Sequence, residues 1–116
     1  TTRVRIHRQL PGQEIPLHTD GNNTAVKNKN DYMIRSITAL TASKDFRYNF
    51  IDTENKHRVQ WLRQGETILF DPDLIAHGMS NESKTETRYA LVQIFKLYPV
   101  TDWVRDFIST KKVIKI

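Results

Sequence analysis

Apolar and polar residues alternate along this chain in short runs with the two-residue period of β-strands. In RVRIHR (3–8), Val4 and Ile6 alternate with Arg3, Arg5 and His7. QEIPLH (13–18) follows a Pro-Gly turn at 11–12, and YMIRSITAL (32–40) is β-branched and apolar, the pattern of a well-buried strand. FRYNFI (46–51) and HRVQWL (57–62) flank DTENK, a hairpin-type connection. ETILF (66–70) follows Gly65, LIAHGMS (74–80) follows Asp-Pro-Asp, and RYALVQIFKL (88–97) is the longest run. Both tails are strand-like. GNNTAVKNKND (21–31) is polar throughout its middle and predicts a loop. VTDWVRDFIST (100–110) predicts a short C-terminal helix, capped by Asp102, with Trp103 and Phe107 four apart on one face. Some eight strands separated by turns imply an all-β sandwich or barrel, of which the jelly roll is the two-sheet, eight-strand version. Trp61 and Trp103 are expected in its core, and His7 and His57, on basic alternating strands, are expected to face solvent.

The 116 residues suit one domain, 1–116, with one core. Hydrophobic residues make up only 38%, yet they fall in ordered runs, so the chain reads as folded. No apolar run approaches the ~20 residues of a membrane helix. TTRVRIHRQL lacks the apolar centre of a signal peptide, and a cytoplasmic protein is expected. With no cysteine, disulfides and thiolate metal sites are excluded. The formal charge of +5 is spread along the chain, with one short cluster in Lys111 and KVIKI at the end. That distribution argues against nucleic acid as the main partner and favours an acidic or anionic substrate.

The chemistry begins at IPLHTDG (15–21), where an apolar run ends in a histidine and an aspartate two apart. On a strand, His18 and Asp20 share a face. They make either an ion pair or two-thirds of a metal site. Of the remaining histidines, His77 in FDPDLIAHGMSNES is the best third ligand, at a turn after an apolar stretch. Two histidines and a carboxylate form the facial triad of non-haem Fe(II) oxygenases, which leaves coordination positions open for a co-substrate and O2. Arg88 lies eleven residues after His77. If the chain turns at NESKTET and returns antiparallel, Arg88 comes back near the level of His77, placed to clamp a carboxylate with two parallel hydrogen bonds. The bland alternative pairs it with Glu82 or Glu86 at the surface. Ser80 and Asn81, just after His77, either orient it, hold co-substrate or serve a turn.

HTD at 18–20, AHG at 76–78 and Arg88 together resemble the His-x-Asp…His…Arg pattern of the Fe(II)- and 2-oxoglutarate-dependent dioxygenases. The segment 65–95 is similar to the second half of the aspartyl/asparaginyl β-hydroxylases and prolyl hydroxylases of that superfamily. The resemblance runs from about Arg5 to Phe95 on a handful of positions. It implies a double-stranded β-helix, the cupin-like jelly roll, with Fe(II) on His18, Asp20 and His77 and the far carboxylate of 2-oxoglutarate on Arg88. It further implies a hydroxylase acting with O2 on a small-molecule or peptidyl substrate. Arg35, in MIRSITAL, resembles the arginine of the Arg-x-His-Leu strand of the β-hydroxylases, with Ile37 in place of the histidine. Arg35 on this basis, and Ser80 by its place just after His77, join Arg88 as candidate co-substrate residues. Asp20 departs from the β-hydroxylases, which commonly lack the carboxylate, and resembles the prolyl hydroxylases.

Two other functions remain open on sequence. Gly12 followed by His18, and Gly65 followed by His77 and Asn81, resemble the two cupin motifs, which implies a metal module without 2-oxoglutarate. Position 20 is Asp rather than His, and no glutamate falls at the cupin spacing. The third possibility is a non-catalytic jelly-roll binding domain, which requires no metal at His18 and His77.

Overall fold

In the computed structural model, the described residues are 3–20, 32–52, 54–97 and 113–116, and all their regular structure is β. The loop expected at 21–31 and the helix expected at 100–110, with Trp103, lie outside them. The strands are β1 (Arg3–Gln9), β2 (Glu14–His18), β3 (Tyr32–Ala39), β4 (Phe46–Ile51), β5 (His57–Gln60), β6 (Thr67–Phe70), β7 (His77–Asn81), β8 (Arg88–Leu97) and β9 (Ile114–Lys115). They form two antiparallel sheets, ordered β1-β8-β3-β6-β9 and β2-β7-β4-β5. Apart from the β4–β5 hairpin and the final pair, consecutive strands change sheet, so each connection steps across the sandwich. Among the described residues no helix is long and apolar enough to cross a membrane.

The inner faces follow from side-chain alternation. Ile37 and Ala39 of β3, Ala90 and Val92 of β8, and Ile68 and Phe70 of β6 meet Tyr48 and Phe50 of β4 and Met79 of β7. Phe50 and Phe70 pack edge to face with centroids 5.0 Å apart. The same inward rows continue into polar residues: Arg35 on β3, His77 on β7 and Arg88 on β8 are all buried. The low apolar share of the chain therefore has a location. The core is small, and ionisable side chains occupy inward positions beside it.

Two expectations about individual faces are corrected. Trp61 is 51% exposed, with its indole N–H donated to the Lys44 carbonyl at 3.0 Å, and is not a core residue. β1 is turned the other way from its apolar pattern: Val4 and Ile6 are 56% and 64% exposed, while Arg3, Arg5 and His7 line a cleft between the sheets. β1 is an edge strand, and its polar side faces polar neighbours. The hydrophobic effect is non-directional, so alternation alone does not say which face turns in.

Candidate metal centre

β2 ends beside the start of β7, where His18 and His77 pair across the sheet. Ile15 pairs with Met79, so Pro16 and Leu17 together oppose Gly78, a β-bulge. The extra residue shifts the alternation and turns His18 to the same side as Ile15. Proline suits the bulge because it has no N–H to pair. Gly78 makes the approach possible: a Cβ there would lie 2.5 Å from the Ile15 carbonyl oxygen and 3.0 Å from the Pro16 carbonyl carbon. The backbone N–H of Asp20 donates to the Pro72 carbonyl at 2.9 Å, tying the residue after β2 to the turn before β7.

This geometry brings His18, Asp20 and His77 together, with one ligand atom from each within 4.8 Å of the others. His18 Nδ1 lies 2.8 Å from the Pro16 carbonyl, and His77 Nδ1 lies 2.8 Å from the Ile75 carbonyl. A carbonyl only accepts, so each Nδ1 carries a proton, and Nε2 is the ring atom left to ligate. Both Nε2 atoms point at the same carboxylate oxygen: Asp20 Oδ1 is 3.4 Å from that of His18 and 3.2 Å from that of His77. Three acceptors facing one another call for a cation or a proton among them, a need the Arg35 guanidinium meets in part. Burial pushes the His77 pKa down, more than the Ile75 bond and Asp20 push it up, so this ring favours the neutral, metal-binding form. The group can hold a metal ion, with ligands on one side and an open cleft of about 460 Å³ on the other.

Arg35 reaches the site from the opposite sheet. Its Nη2 donates to Asp20 Oδ2, and its Nη1 lies 3.1 Å from His77 Nε2. The first bond leaves Oδ1 free to ligate and fixes the carboxylate's orientation. The second uses the same lone pair that a metal would take. Burial lowers the Arg35 pKa and Asp20 opposes this; the guanidinium remains charged at neutral pH. Arg35 is thus a neighbour of the ligands themselves. Phe70 packs on the His77 ring at 4.9 Å and covers the site from below.

Arg88 is fully buried and pairs with neither Glu82 nor Glu86. Glu82 bonds Arg47 at 3.0 Å instead. Arg88 Nη1 donates to Gln9 Oε1 at 3.2 Å, to the Arg47 carbonyl at 2.9 Å and to the Ser80 carbonyl at 3.1 Å. The guanidinium lies 3.9 Å from the Tyr48 ring centroid. Arg88 Nε and Nη2, and the Tyr48 hydroxyl, make no hydrogen bond of normal geometry among the described residues. Nε and Nη2 share one edge of the guanidinium plane, the edge that takes a carboxylate in two parallel bonds. Burial lowers the pKa of Arg88 and Tyr48 opposes this. Arg88 does not return to the level of His77. It stands level with Ser80, roughly 10 Å further along β7 at about 3.3 Å per residue.

The remaining candidates are placed differently. The Ser80 hydroxyl accepts from Asn49 Nδ2 at 3.2 Å and lines a separate cleft on the far side of its sheet; only its carbonyl meets Arg88. Asn81 closes the β7–β8 turn, its Nδ2 donating to the carbonyls of Gln9 at 3.0 Å and Glu86 at 2.8 Å. His57 is exposed and bonds Asn49 Oδ1 at 3.2 Å. His7, expected to face solvent, is half-buried in the metal cleft, where burial and then Arg5 lower its pKa. Sequence reasoning missed Tyr48 and Gln9 as partners of Arg88. Their inward placement on β4 and β1 is a tertiary fact.

Among models of known protein families none matches this chain. Nor does any curated protein.

Proposed function

We propose that the protein is an Fe(II)- and 2-oxoglutarate-dependent oxygenase that hydroxylates an amino-acid-like substrate, free or peptidyl, with release of succinate and CO2. The observation that carries this reading is the convergence of two histidine Nε2 lone pairs and one aspartate oxygen at the wall of an open cleft. Two histidines and one carboxylate are the ligand types of the facial triad of non-haem iron sites. The strand order 1-8-3-6 against 2-7-4-5 also fits a double-stranded β-helix, the fold the sequence resemblance implies.

Arg88 supports the co-substrate assignment. The Nε and Nη2 edge of this buried guanidinium has only the Tyr48 hydroxyl near it and no bond of normal geometry among the described residues, which suits an anion. A dicarboxylate that reaches from the metal side to Arg88 would meet both that edge and the Tyr48 hydroxyl. Met79, the inward residue of β7 between the two levels, lines the cleft and is adaptable in shape. The residues here bind and orient. His18, Asp20 and His77 hold the metal, Arg35 fixes the carboxylate, Arg88 anchors the far end of 2-oxoglutarate, and Phe70 and Phe50 keep water from below. Iron with 2-oxoglutarate and O2 supplies the oxidative chemistry when bound. A cupin-type site adds a glutamate, whereas the group here has three members among the described residues.

The test is anaerobic. Fe(II) and 2-oxoglutarate added to the metal-free protein should give a weak visible charge-transfer band that needs both additions and saturates later in Arg88→Ala. Substrate-dependent CO2 release should be lost in His77→Ala and Asp20→Ala. Fe(II) binding without the band selects the cupin-like module. Full turnover in His77→Ala ends the oxygenase reading.

A further inference from the structure

The wall of the metal cleft that β1 supplies carries charge which holding a metal does not require. Arg3, Arg5 and His7 fall on one side of the strand and line the same cleft as His18, Asp20, Arg35 and His77. Among the described residues Asp20 is the one acid in that lining, and Arg35 is already bonded to it, with Asp73 also acting on Arg35. Arg3 and Arg5 are exposed, and among the described residues neither is held in an ion pair or a side-chain hydrogen bond. Their Cα atoms are two strand residues apart, roughly 7 Å, a spacing from which two long side chains can converge on one anion. Both project from a low-dielectric wall into a concave space, where like charges reinforce each other and focus the field on an incoming anion.

The usual use of charge on an edge strand is to block pairing with another sheet. That role is satisfied by charge on any side. Here Val4 and Ile6 take the solvent side of β1, and the arginines take the cleft. Charge turned inward also protects an edge, but here it lines the cleft that holds His18, Asp20 and His77, where an anion would meet it. Arg88 is buried and is not among the residues that line this cleft, so the exposed Arg3 and Arg5 are a second pair of cations distinct from it.

We propose that Arg3 and Arg5 form the substrate's anion subsite: the amino-acid-like substrate carries an anionic group, a carboxylate or a phosphate, held on β1 with its reacting carbon directed at His18, Asp20 and His77. This rests on the metal-centre reading above. The cleft volume of about 460 Å³ lies within the range of small-molecule sites.

The experiment uses protein loaded with Zn(II), a redox-inert stand-in, and saturated with 2-oxoglutarate. Inorganic phosphate and malonate are titrated separately by calorimetry into the wild type, Arg3→Gln, Arg5→Gln, the double variant and Arg5→Lys. Saturable one-to-one binding is expected, weakened several-fold in each single variant and at least roughly 10-fold in the double variant, with partial recovery in Arg5→Lys. Tighter phosphate than malonate points to phosphate esters, and the reverse to carboxylates. Binding that is unchanged in the double variant, as it would be for anions on the metal or at Arg88, overturns the proposal. So does the absence of saturable binding in the wild type. A parallel Zn(II) titration reads the metal assignment separately. If the wild type takes no metal, the oxygenase reading fails, and the same anion titrations without metal judge the subsite alone.

Discussion

The His77 ring shows how few bonds decide the chemistry of a residue. Its Nδ1 proton is committed to the Ile75 carbonyl, so Nε2 is the atom that can ligate. Asp20 is likewise committed on one side, with Oδ2 held by Arg35 and Oδ1 turned to the two histidines. Arg35→Met removes that hold while keeping much of the side chain's bulk. Losing the hold on the carboxylate typically weakens metal binding about 10- to 100-fold, a loss expected to outweigh the release of the His77 lone pair that Arg35 also contacts, and a Zn(II) titration should show it. Wild-type affinity in that variant would mean that Asp20 is oriented by other means. At the other end, Tyr48→Phe leaves the aromatic face under Arg88 and removes only the hydroxyl. If the proposed oxygenase reading holds, the 2-oxoglutarate requirement should rise roughly 10-fold, the worth of one hydrogen bond to a charged group, while Zn(II) affinity stays put. An unchanged requirement would separate Tyr48 from co-substrate binding.

Among the elements, the β2–β7 pair is the one on which the site depends. His18 faces His77 because Pro16 and Leu17 bulge against Gly78, and the bulge exists because Gly78 has no side chain. The atoms a Cβ would strike are backbone, which cannot rotate away. Gly78→Ala should therefore push β2 off β7, costing about 1–3 kcal/mol and moving His18 out of reach of Asp20. Urea unfolding and Zn(II) titration check the two effects together. A stability loss with metal affinity intact would show that the bulge does not position His18. Regular alternation through QEIPLH would set Ile15 and Leu17 on one face and His18 on the other, whereas in the folded chain Leu17 is exposed and His18 faces the ligands. The boundaries of β4, β7 and β8 were legible within a few residues, since their runs end at turn chemistry or glycine. The face that β1 buries was not.

For the molecule as a whole, the inward polar residues make stability depend on pH. His7 and His77 both have pKa values lowered by burial from the ordinary 6.5. The unfolded chain takes up their protons first on acidification, so the stability is fully present above 6.5 and is lost as pH falls through the lower folded values. Denaturant midpoints of the metal-free protein should fall below pH 6.5, and His7→Gln should flatten part of that slope. An identical pH profile in the variant would remove His7 from the account. The apolar centre behaves differently. Phe50→Ala, between Phe70 and the rest of the cluster, should cost about 3–5 kcal/mol at any pH in this range. A smaller cost, read from the same denaturant curves, would mean that the neighbouring side chains collapse into the space.

From the sequence alone came the all-β class, the positions of the strands and the trio His18, Asp20 and His77, because alternation, turn residues and ligand chemistry are local properties. The tertiary structure alone decided which side of β1 faces in, which cation holds Asp20, and what surrounds Arg88. Those outcomes depend on strands far apart in sequence meeting across two sheets: Arg35 crosses the sandwich to Asp20, Gln9 and Tyr48 enclose Arg88, and Gly78 lets β2 close on β7. A side chain's periodicity states which neighbours share its face. What that face meets is set by the packing of the whole molecule.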